Sequence, residues 1–176
     1  MRELELVRRA RSFGERVAVT SNGQDHSYDT LLSVSEVIAS NLLDGATDLA
    51  EERVAYFVPG SFEYTAVQWA IWRAGGIAVP LSLSSADPEL EHVISDAQVD
   101  RILTPDASLA KLEPLCDRLS KPLLSVERLA SGQSAPLPEL ESERRAMMLY
   151  TSGTTNKPKG VVSTHANIRA QTTTLV

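Results

Sequence analysis

Eleven residues near the end of the chain, "YTSGTTNKPKG" from Tyr150 to Gly160, gather the side chains best suited to hold an anion. Thr151, Ser152, Thr154 and Thr155 supply hydroxyl donors, and Gly153 and Gly160 let backbone amides come close to a ligand. Lys157 and Lys159 add positive charge, while Pro158 stiffens the chain between them. A phosphate fits such a set. The segment is too polar for a core, and a flexible Ser/Gly linker has no use for a proline flanked by two lysines. It is not a Walker loop, because Pro158 stands where that pattern needs its second glycine. No Gly-x-Gly-x-x-Gly run occurs, which removes the simplest dinucleotide-binding pattern.

Other chemistry-bearing residues have plainer readings. Cys116, the single cysteine, lies in "ASLAKLEPLCDRL", where Leu109, Leu112, Leu115 and Leu119 share its helical stripe, so it reads as a buried structural thiol. His26 and His92 have no second histidine or cysteine at metal-ligand spacing and read as surface or partly buried residues. His165 reads as a helix-end residue ahead of a substrate contact. Trp69 and Trp72 read as packing residues rather than a base stack. Asp25, Asp29, Glu36, Asp44, Asp48, Glu51 and Glu52 read as a solvated acidic face.

The elements that must position the polar segment alternate. "RVAVT" and "HSYDT" flank Asn22-Gly23 as an amino-terminal hairpin, with a loop expected to exceed two residues. A helix follows from Tyr28 to Leu43. "RVAYFV" is a strand, Ser61 caps a helix from Phe62 to Ala74, and "IAVPLS" is the next strand. Asp87 is the expected cap of a helix with Pro88 in its first turn. "RILTP", the Cys116 helix and "KPLLSV" continue the pattern, the stretch from Ser131 to Ser142 is a Pro/Ser-rich surface loop, and "AMMLY" is the strand that delivers Tyr150. Ser163-Thr164 is the expected cap of a last helix placed directly after the polar loop. Such alternation predicts an α/β fold with a mostly parallel sheet flanked by helices, in which ligands bind at the carboxyl ends of strands.

Composition fits this: 43% hydrophobic and 23% charged residues suit a globular domain. A net charge of −6 excludes the broad basic field of a nucleic-acid binder. With no signal peptide and no apolar run of membrane-spanning length, the expected compartment is the cytoplasm.

From Tyr150 to Val161 the chain resembles the phosphate-binding signature of the adenylate-forming (ANL) superfamily of acyl-CoA synthetases, peptide-synthetase adenylation domains and luciferases. The family form is Tyr-Thr-Ser-Gly-Thr-Thr-Gly-x-Pro-Lys-Gly-Val, and Asn156, in place of glycine, is the one departure. Asparagine is expected to be tolerated there because it readily enters the left-handed conformation. The likeness extends over "HSYDTLL", "RVAYFVPGSFEYTAVQWAIWRAGGIAVPLS" and "ELEHVISDAQVDRILT". "SSADPELEHVISDAQ" and "WRAGGIAVPL" look most like acyl-CoA synthetases acting on malonate or other small to medium acids.

The resemblance implies an ATP-dependent acid:CoA ligase, in which a carboxylate displaces pyrophosphate from ATP and coenzyme A then takes the acyl group. It gives the ATP phosphates to Thr151, Ser152, Gly153, Thr154, Thr155, Asn156, Lys159 and Gly160, with Lys159 the catalytic cation, and implies Mg2+ with the phosphates. Lys157 falls at the variable position. Residues 1–176 are then the amino-terminal portion of an AMP-binding domain without its carboxyl-terminal domain. Such a fragment is expected to be inactive alone and to self-associate. The alternatives are a noncatalytic interaction module and an amino-acid adenylation domain.

Overall fold

In the computed structural model, residues 3–151 and 158–174 are described. Helix α1 (Glu5–Arg11) leads into the antiparallel hairpin β1 (Val17–Ser21) and β2 (Gln24–Ser27). Asn22 and Gly23 both take positive φ, 52° and 75°, so the turn has only two residues, shorter than expected. Two successive positive φ values match the twist of the flanking strands. The second strand also ends early. The Ser27 hydroxyl accepts from the Thr30 N–H, which starts helix α2 (Tyr28–Leu43) at the residue expected and ends the second strand before it. Helix α2 ends at Asp44, which adopts the left-handed conformation.

From there the chain alternates as expected through β3 (Arg53–Tyr56), α3 (Phe62–Arg73), β4 (Ile77–Pro80), α4 (Asp87–Asp96), β5 (Arg101–Thr104), α5 (Asp106–Leu119) and β6 (Leu123–Ser125). Ser61 caps α3 by accepting from the Tyr64 N–H. Asp87 does not cap α4. Ala86 holds that position without a side-chain bond, and Asp87 sits in the first turn, where its charge faces the positive end of the helix dipole. A short helix α6 (Val126–Leu129) and the 131–142 loop lead to β7 (Arg145–Thr151), β8 (Lys159–Thr164) and α7 (His165–Thr174). The loop is mostly exposed, but Leu140 is buried and Ser40 both donates to the Ala135 carbonyl and accepts from its N–H.

The six-stranded sheet has the order β6-β5-β3-β4-β7-β8, parallel except for the antiparallel β7–β8 pair. The step from β3 to β4 runs one way across the sheet and the step from β5 to β6 runs the other. Right-handed crossovers then put α3 and α5 on opposite faces. Two separate cores follow. On one face Val54, Tyr56 and Ala78 pack with residues of α1, α2 and α3, and on the other Ala55, Phe57, Val79 and Ile102 pack with α4 and α5. Cys116 is buried in the second core, which raises its thiol pKa. Trp72 belongs to the first core and donates from Nε1 to the Ala146 carbonyl at 2.7 Å.

The amino-terminal ends of the strands are clamped by ion pairs, which corrects the reading of a solvated acidic face for Glu36, Asp48, Glu51 and Glu52, while Asp25, Asp29 and Asp44 are exposed as expected. Arg144 donates to both carboxylate oxygens of Asp48 and to the Gly75 carbonyl. Burial opposes ionisation of Asp48, but Arg144 and the Ala50 N–H outweigh it and hold the carboxyl below its ordinary pKa. Arg145 holds Glu51 below its ordinary value through its side-chain hydrogen bond, and Arg101 pairs with Glu52. Glu36 pairs with the buried Arg73, which also donates to the Leu32 carbonyl and the Ser35 hydroxyl.

Candidate functional site

Strand β7 is parallel to β4, so its carboxyl end, Tyr150 and Thr151, lies at the sheet edge where α/β folds place ligands. After the polar segment the chain does not pass straight to the expected helix, because a strand absent from the sequence reading comes first. It returns as β8, antiparallel to β7, with Tyr150 opposite Gly160 and Thr151 opposite Lys159 as the last ladder pair. A polar segment between two apolar runs, "AMMLY" and "VV", is a hairpin signal that the helix reading of Ser163-Thr164 overrode. Thr164 does cap α7: its hydroxyl accepts from the Asn167 N–H, and the Asn167 side chain accepts from the Thr164 N–H in return.

Of the expected phosphate-binding residues, Thr151, Lys159 and Gly160 are described and stand together at the last two pairs of this ladder. Ser152, Gly153, Thr154, Thr155 and Asn156, with Lys157, lie outside the described residues. Lys159 is exposed and forms no ion pair with any described residue. Gly160 has a local structural reason as well as the expected ligand one. A Cβ there would stand 3.1 Å from Tyr150 Cζ and 3.3 Å from Met148 Cγ, so glycine lets the Tyr150 ring lie against the partner strand.

Helix α4 reaches this hairpin from the second-core face. The Tyr150 hydroxyl donates to Asp96 Oδ2 at 2.6 Å, and burial together with this bond raises its pKa. His92 Nε2 lies 3.2 Å from the Pro158 carbonyl and donates to it, since a carbonyl only accepts. The sequence held no signal for this contact, because His92 and Pro158 are 66 residues apart.

His165 is not brought to the same place. It starts α7 at the far end of β8, roughly 20 Å from Lys159 at ~3.3 Å per residue. There it stands edge-on to Trp72, with ring centroids 6.0 Å apart, and its N–H donates to the Arg144 carbonyl. Burial, and then the nearby Arg144 charge, depress its pKa to about 4. His26 stacks on Phe62 at 4.1 Å. A cavity of about 330 Å3 opens between α1, α2 and the 134–140 loop, bounded by Leu4, Val7, Arg11, Arg73 and Leu137, and none of the described residues of the polar segment lines it. Among the described residues no group of three His, Cys, Asp or Glu side chains is placed to hold a metal ion.

Comparison with known proteins agrees with this geometry. The family model described as AMP-binding enzyme matches residues 6–176. The malonate-CoA ligase ACSF3, mitochondrial, of Homo sapiens is 38% identical over 99% of this chain and 32% of its own length. The Mus musculus protein of the same name is 38% identical over 96% of this chain and 31% of its own. The crystal structure of ATP-bound MatB from Rhodopseudomonas palustris superposes with a TM-score of 0.84 at 24% identity, over 98% of this chain and 37% of that one. This chain therefore spans about a third of the length of these relatives. A family match over nearly every residue, joined to a signature hairpin at the carboxyl end of β7, places the chain in the AMP-binding enzyme family of the adenylate-forming superfamily.

Proposed function

We propose that the chain is the amino-terminal part of an ATP-dependent, AMP-forming ligase that joins a carboxylic acid to coenzyme A, with malonate as the acid. The observation that carries the reading is the likeness to malonate-CoA ligases over nearly the whole chain, signature included.

A carboxylate is a poor electrophile. In the first step its oxygen attacks the α-phosphorus of ATP, the bond to the bridging oxygen breaks, and pyrophosphate leaves. In the second the thiol sulfur of coenzyme A attacks the acyl carbonyl and AMP leaves. The part of this chain lies in the first step. Negative charge grows on the departing phosphates, and fixed donors with a cation aimed at them lower the barrier without reorganising. Thr151 and Lys159 face each other across the end of the hairpin, so a hydroxyl and an ammonium approach such a group from two strands. The hydroxyls and amides of Ser152, Gly153, Thr154, Thr155 and Asn156, with the Gly160 amide, complete the proposed donor set. Mg2+ is expected with the phosphates, but the described residues offer it no ligand set, and no step is assigned to it.

The test is ATP–pyrophosphate exchange by the full-length protein with a panel of acids. Malonate is expected to stimulate exchange most, and thioester is expected only when coenzyme A is added. Stimulation by an amino acid instead would make this an adenylation domain, and no exchange with any acid would favour a noncatalytic module.

A further inference from the structure

Among the described residues, strand β7 is paired on its inner side by one ladder pair, Ala78 with Met147, and on its outer side by the edge strand β8. The hairpin end bearing Thr151 and Lys159 therefore extends past the parallel part of the sheet. What meets it there is α4. His92 and Asp96 lie four residues apart, one helical turn, and so project from the same face of that helix. Each holds one stem of the hairpin: Asp96 accepts from the hydroxyl of Tyr150, which precedes Thr151, and His92 donates to the carbonyl of Pro158, which precedes Lys159. Gly160 completes the arrangement, because its missing side chain is what lets the Tyr150 ring lie where its hydroxyl meets Asp96.

We propose that His92 and Asp96 are positioning residues that fix Thr151 and Lys159 relative to each other and to the sheet. The inference rests on the reading of those two residues as phosphate-binding groups. Donors that stabilise a leaving group act only when held close to the productive geometry, and a displacement of about 1 Å is enough to lower a rate by orders of magnitude. Two hydrogen bonds on one rigid helix, one to each stem, are a means of holding that geometry. Their effect on global stability is small, since partly exposed hydrogen bonds each contribute only about 1 kcal/mol.

Amide hydrogen exchange on the 176-residue chain tests the anchoring. In His92→Ala and Asp96→Ala, exchange around Leu149–Thr151 and Lys159–Val161 is expected to rise about five- to tenfold, the size of one lost hydrogen bond, while β3 and β5 keep their protection. His92→Gln, whose carboxamide still donates, is expected to restore most of the protection. Adding Tyr150→Phe to Asp96→Ala is expected to cost little more than either change alone. Unchanged exchange at the hairpin end, or an equal rise across the whole sheet, overturns the anchoring. In the full-length protein the same two alanine variants are expected to lower the rate constant for acyl-adenylate formation about tenfold, with thiolysis of supplied acyl adenylate unchanged. Normal adenylation in variants whose hairpin end has loosened overturns the positioning role. Failure of the wild-type protein to form an adenylate from any acid is a different result: it removes the functional reading and the positioning role with it, while exchange still reports the anchoring.

Discussion

At the scale of single residues, Gly75 and Gly160 need their identity for different reasons. Gly75 has φ +85°, and a Cβ there would collide with Asp48 Oδ1, the oxygen that pairs with Arg144. Gly75→Ala is expected to destabilise the chain by about 2–3 kcal/mol, combining left-handed strain with a broken clamp. Urea unfolding checks this, and a loss below about 0.5 kcal/mol would mean the clamp yields freely. Gly160 has only the near contact with Tyr150 and Met148 to protect. Its replacement by alanine is expected to leave global stability within about 1 kcal/mol while disturbing the Tyr150 ring. The sequence marked Gly160 as backbone-permissive but could name neither its neighbours nor those of Gly75. Asp48, for instance, lies 27 residues from Gly75 and 96 from Arg144, separations that no local pattern encodes.

At the scale of elements, the strands and helices were largely legible because each carries its own local signal. The buried strands are short apolar runs, α2 and α3 open on serine caps, and α4 has its proline in the first turn. What escaped was set by competition between neighbours. Pairing with β7 makes a strand of residues that also led up to a helix cap. The ion-paired face escaped for the same reason as the α4 anchor, since its partners come from distant segments. The junction of β8 and α7 makes a pH prediction. His165 has a folded pKa of about 4, below the ordinary histidine value. The unfolded chain takes up a proton near pH 6.5 that the folded chain refuses until about pH 4. Stability is therefore expected to be full above pH 6.5 and to fall, by no more than about 3 kcal/mol from this group, as pH drops between those values. His165→Gln is expected to flatten that part of the curve. The loss below pH 4 is expected to remain in the variant, since the carboxylates of Asp48 and Glu51 with lowered pKa values cause it.

At the scale of the whole molecule, the fold presents the signature hairpin at one edge of the sheet and leaves that edge open. Leu149, Val161 and Val162 are 43%, 53% and 45% exposed, and among the described residues no strand pairs with the outer side of β8. An apolar edge strand favours association. The 176-residue chain alone is expected to self-associate in sedimentation experiments, and replacing Val161 and Val162 by threonine is expected to shift it toward monomer. A monomer at all concentrations would contradict this. The central claim, that the Tyr150–Gly160 hairpin serves the departure of pyrophosphate, is tested most directly by step-resolved kinetics of Lys159→Ala in the full-length protein. Acyl-adenylate formation is expected to slow by about 100-fold or more, the size of a lost transition-state donor, while thiolysis of supplied acyl adenylate proceeds at the wild-type rate because pyrophosphate has already gone. Equal losses in both steps, or none in the first, would contradict it.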